Sequence, residues 1–125
     1  MKIAVIVVRS LMGALFLFGS ITFLFKLITP PETTGAMKVF NDGLAASGYL
    51  MNLVKITELI CGLLFISGRF VPLASILISP VIVNIFFVHV FLDPQNLPVA
   101  IVLILMNSFL AYTNWDKYKP LFESK

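Results

Sequence analysis

Read along its length, the chain alternates four long apolar runs with short polar breaks. The runs cover about residues 3–27, 49–67, 70–92 and 97–112. Crossing about 30 Å of hydrocarbon takes about 20 apolar residues in a helix, so each run predicts one membrane span. Pro30 and Pro31 stop the first run, because a helix does not continue easily into consecutive prolines. Gly68-Arg69 closes the second and Asp93-Pro94 the third, while Pro80 falls inside the third and predicts a kink that neighbouring helices can tolerate. In the intervening segment 28–48, Met37, Phe40 and Leu44 recur at helical spacing with Lys38, Asn41 and Asp42 between them. That pattern fits a short amphipathic helix on the membrane surface; an irregular loop fits as well. Trp115 and Tyr118 are expected as interface anchors, at the start of a wet tail over residues 113–125.

Composition turns this pattern into a membrane assignment. The chain has 125 residues, 59% hydrophobic and 12% charged. Its mean hydropathy is +1.01. Soluble domains carry about 25% charged residues, so the lipid bilayer is the solvent this chain demands. The expected fold class is an all-α membrane protein: one antiparallel four-helix bundle. The N-terminal run reads as a retained span, since Arg9 interrupts it and no Ala-x-Ala site follows. In the short loops, Lys2, Arg69, Lys117, Lys119 and Lys125 fall on one side and Lys38 on the other, with Lys26 at a span edge. That bias places both termini in the cytoplasm, for a protein of the inner (cytoplasmic) membrane. A net charge of +3, scattered without a basic patch, gives no nucleic-acid signal. The single cysteine, Cys61, permits no intrachain disulfide and reads as a packed thiol.

Two runs resemble one another. RSLMGALFLFG, from Arg9, and ELICGLLFISG, from Glu58, each carry a charge, then Gly, Leu and Phe at matching steps, but the charges are opposite. Charges within a span are expensive and usually find partners inside the bundle. Counted along ideal helices, Arg9 and Glu58 differ in height by about 7–8 Å, which two long side chains can bridge. An Arg9–Glu58 pair between the first two spans is therefore expected, with Gly13 and Gly62 allowing close helix approach.

Other polar residues suggest a site. Lys55 shares the Glu58 face of the second span. Asn84 and His89 lie in the outer half of the third, about 140° apart around the helix. Asn107 lies near the middle of the fourth. Lys55, His89, Asn84, Lys26 and Asn107 form the candidate binding set. One reading is a polar pocket that takes a quinone head group through His89 and Lys55, or passes protons through Glu58. The other is structural, with interhelical hydrogen bonds worth about 0.6 kcal/mol each. One histidine and one cysteine build no metal site or bis-histidine haem within this chain, and no nucleophile elbow or phosphate loop occurs.

The order of these motifs resembles the DoxX family of small membrane proteins. It rests on Arg-Gly-Leu-Phe residues in the first span and Glu58-Leu59 with Gly62-Leu63-Leu64 in the second. Gly68-Arg69-Phe70-Val71-Pro72-Leu73-Ala74 follows, then Pro80, Asn84 and His89-Val90-Phe91-Leu92-Asp93-Pro94, and near the end Asn114-Trp115-Asp116-Lys117-Tyr118. One departure is the separation of Gly19 from Lys26 by residues 20–25. The resemblance implies a four-span protein of the cytoplasmic membrane. Some relatives look like the small subunit of a thiosulfate:quinone oxidoreductase, and others are tied to redox-stress complexes. The expectation is a non-catalytic subunit or scaffold of a quinone-linked membrane complex, with a protein partner or as a homo-oligomer. The alternative is a small oligomeric transporter or channel with a Lys/Glu/His path. A free-standing enzyme ranks last.

Overall fold

A computed structural model describes residues 2–27 and 34–123. Its six helices are α1 (Lys2–Leu24), α2 (Gly35–Ala46), α3 (Leu50–Ser67), α4 (Val71–Phe91), α5 (Leu97–Thr113) and α6 (Trp115–Tyr118). Short 3-10 turns precede α5 at Pro94–Asn96 and follow α6 at Lys119–Phe122. Among the described residues there is no strand. α1, α3, α4 and the stretch ending in α5 are long and apolar enough to cross a membrane. The expected stop at Pro30 and Pro31 lies outside the described residues, as does Lys125.

The four long helices pack as an antiparallel bundle. An even number of crossings returns the chain to its starting side, where Lys2 and Val5 of α1 line one cavity with Tyr112 and Asp116. Most outward side chains stay apolar, as lipid contact requires. Inside, Met12, Phe16, Cys61, Phe65, Ile78 and Leu110 fill the axis with almost no exposure. Filling of this kind gains dispersion contacts that lipid tails cannot supply as densely.

Glycine sets the closest approach. A Cβ on Gly13 would lie 2.9 Å from the Gly62 carbonyl oxygen and 2.6 Å from Ile66 Cγ1. One on Gly62 would lie 2.9 Å from Leu17 Cγ and 3.1 Å from the Gly13 carbonyl oxygen. The backbones of α1 and α3 therefore touch where each helix has no side chain.

The tight turn from α3 into α4 needs two left-handed residues, Gly68 (φ 75°) and Phe70 (φ 55°). Gly68 ends α3 by donating its N–H to the Leu64 carbonyl at 3.0 Å. At the other end of the bundle, the described part of the undecided segment resolves as a helix: α2 is amphipathic, packs against α3 and buries no residue completely. Its Met37, Phe40 and Leu44 turn inward, as their spacing suggested.

Candidate functional site

The two charges of the repeated motif take different partners. Arg9 Nη1 donates to the Phe65 carbonyl at 2.8 Å and to the Ile66 carbonyl at 3.0 Å. Its guanidinium lies over Gly68, where a Cβ would sit 3.0 Å from Arg9 Cζ. Both acceptors belong to the last turn of α3, whose carbonyls have no partner within the helix and carry partial negative charge. Arg9 is thus a cap on α3. The expected Arg9–Glu58 pair is not formed. Glu58 stands seven residues before Phe65, about 10 Å further along α3, so a donor at the helix end is nearer.

Glu58 pairs within its own helix. Lys55 Nζ stands 3.2 Å from Glu58 Oε2, one turn apart on the same face. The carboxylate belongs to a residue only 5% exposed. Lys55 is partly open and its ammonium also sits 5.7 Å from the centroid of the Phe23 ring, within cation–π range.

The pair faces a cavity of about 430 Å³ in the half of the bundle away from the chain ends. All four long helices contribute to it, and α2 supplies a further wall through Met37, Phe40, Asn41 and Leu44. Lys55 and Glu58 come from α3, Asn84 and His89 from α4, and Asn41 from α2. Most of the remaining wall is apolar, including Phe16, Phe40, Val54 and Leu103. Although 140° apart on an ideal helix, Asn84 and His89 both border this one space, Asn84 from an exposed position. His89 Nδ1 is buried without a hydrogen-bond partner, 3.6 Å from Asp93 Oδ2.

Two members of the sequence-derived set lie elsewhere. Lys26 is exposed just beyond α1 in a left-handed conformation (φ 54°), outside the cavity wall. Its apolar neighbours Phe25 and Leu27 are exposed with it. Asn107 faces α4 on the half that carries the chain ends, where its Nδ2 donates to Ser79 Oγ at 3.2 Å. Sequence reasoning missed Asn41, whose place depended on whether segment 28–48 was helical. It also missed the serines of α4, which carry no signal in an apolar run. Tyr118, read as an interface anchor, is buried and donates to the Pro72 carbonyl at 2.7 Å. Burial pushes its phenol up, with Ser75 nearby acting in the opposite sense.

Among the described residues no three His, Cys, Asp or Glu side chains gather as metal ligands. The cavity can do two things chemically: donate hydrogen bonds from Lys55 and His89 to an acceptor, and hold the apolar body attached to that acceptor. A family model described as DoxX matches residues 4–90, so the chain belongs to the DoxX family of membrane proteins. No curated protein and no solved structure matches it significantly.

Proposed function

Proceeding from membership of the DoxX family, we propose that this protein is a ligand-holding, non-catalytic subunit of a quinone-linked complex in the cytoplasmic membrane. The observation that carries the reading is the cavity under α2, lined by Lys55, Glu58, Asn84 and His89 together with Asn41 amid mostly apolar walls. Quinones combine an apolar body with carbonyl oxygens that accept hydrogen bonds. Lys55, held by Glu58, and His89 are donors on two different helices, suited to the two ends of such a head group. Small-molecule sites generally combine apolar walls with a few convergent polar groups in this way. Electrons from a bound quinol leave through a partner protein, with this chain supplying the binding site. The half with this cavity faces outward, on the basis of the lysine and arginine bias. A solute path through one copy is disfavoured by the packed axis of Met12, Phe65 and Ile78, so transport would require several copies.

Extraction in a mild detergent, followed by mass spectrometry of bound proteins and lipids, tests the reading. A quinone and a redox protein should co-purify, and the quinone should be lost in Lys55→Met and His89→Ala while the partner stays. Recovery of a homo-oligomer with bulk lipid alone would overturn it.

A further inference from the structure

The cavity under α2 has an edge that faces lipid. Of the apolar residues lining it, two are more than half exposed: Leu15 of α1 at 52% and Val99 of α5 at 54%. Gly19, one turn beyond Leu15, lines the same space, and a Cβ built on it meets nothing within 4 Å. Gly13 on the same helix is hemmed in by α3, so the two glycines act in opposite ways. One brings helices together and the other leaves a gap. α1 and α5 are neighbours in the bundle. Gly19 and Val99 each stand five residues inside the ends of their spans, Leu24 and Pro94, about 7–8 Å from the edge. The gap between the two helices therefore opens at the depth of the lipid chains, and its lips, Leu15, Gly19 and Val99, are all apolar.

The other ways out do not suit a hydrocarbon chain. Toward the chain ends, Met12 and Phe65 are fully buried and close the axis. On the side of α2 and α3, Asn41 and Lys55 belong to a wall shared with a neighbouring cavity of about 440 Å³, which Asn52 and Tyr49 also line. Covering that ammonium and those amides with hydrocarbon would strip them of water without pairing them. An apolar space of about 150 Å³ admits a benzene ring, so about 430 Å³ holds a head group and only the first part of a tail. We infer that the ligand of this cavity is a tailed amphiphile, whose head stays by Lys55 and whose apolar chain leaves for the bilayer between α1 and α5, across Gly19. This deepens the quinone reading and rests on it. Gly19 is then the residue that admits the tail, because a larger side chain there stands in the gap.

The full chain in lipid nanodiscs is treated with a quinone that carries a diazirine partway along a polyisoprenoid tail, and labelled peptides are located by mass spectrometry. Label competed away by the same quinone without the diazirine is expected on residues 15–22 of α1 and 99–103 of α5. In a second measurement, a long-tailed and a tail-less quinone each compete against a photoreactive short-chain quinone. Gly19→Leu should lower the affinity for the long-tailed competitor, relative to the tail-less one, roughly tenfold. Val99→Trp, on the opposite lip, should act in the same sense. The tail label is read on the unmodified chain, so it decides the matter even where a variant fails to assemble. Competed tail label on residues 48–52 in place of α1 and α5, or an unchanged affinity ratio in a folded Gly19→Leu, would overturn the tail route while the quinone site stands. Absence of competed label from the short-chain quinone itself would overturn both.

Discussion

Replacing Arg9 by Met separates a helix cap from an ion pair. The guanidinium makes two bonds to α3 carbonyls, at 2.8 and 3.0 Å. Hydrogen bonds to a charged group contribute about 1.5–3 kcal/mol each, so about 3–6 kcal/mol is lost. Removing a charge from the apolar zone returns at most about 2.5–3.5 kcal/mol. Arg9→Met should therefore destabilise the bundle by about 1.5 kcal/mol, the midpoint of a range from about −0.5 to about 3.5 kcal/mol. Glu58 lies about two turns away with its own partner, so Glu58→Gln should add to this effect independently, with a coupling below about 0.5 kcal/mol. The assay is a double-mutant cycle read by circular dichroism during SDS titration in mixed micelles. A coupling above about 1 kcal/mol, or recovery of stability when both charges are exchanged, would refute the cap and restore the pair.

Other substitutions test other contacts. Gly13→Ala places a Cβ against the Gly62 carbonyl, which cannot move aside without shifting α3, and should cost about 1–3 kcal/mol in the same titration. Gly19→Ala meets nothing within 4 Å and should be neutral or slightly stabilising. Lys55→Met leaves the Glu58 carboxylate without its partner and should destabilise by up to about 3–5 kcal/mol; Lys55→Met with Glu58→Gln should recover most of that loss. If the double variant is as unstable as Lys55→Met, the pair does not hold the charge. Burial raises the Tyr118 phenol above its ordinary value of 10.0. Its docking on Pro72 is therefore fully present below that value and lost as pH climbs through the raised one. Trp115 emission should report this alkaline release, and Tyr118→Phe should remove the step.

The spans were legible because lipid demands long apolar runs and Gly, Pro and Asp residues punctuate them. Gly13 and Gly62 were legible too, since a small residue amid large ones marks a close contact. Helical spacing placed Lys55 and Glu58 on one face, but the pair they form was not expected, because Glu58 was assigned to Arg9. Arg9 was half legible: a charge within a span announces that it has a partner, but backbone carbonyls freed at a helix end leave no mark among side chains. Height along ideal helices favoured Glu58, whereas α1 runs alongside α3 so that Arg9 is level with the last turn of that helix. Ser75, Ser79 and Asn107 were illegible as a group. Their meeting depends on how α4, with Pro80 inside it, turns toward α5. The place of α2 depended on tertiary contact, because its polar face gave the sequence pattern equal standing as a loop.

The most direct measurement is photolabelling by a short-chain quinone carrying a photoreactive group, with labelled residues located by peptide mass spectrometry. A quinone site beneath α2 places the label on segments 37–44 and 51–58, with excess unlabelled quinone competing it away and Lys55→Met reducing it. Label spread evenly over lipid-facing residues such as Leu11, Ile60 and Leu105, with no competition, would contradict a quinone site in this protein.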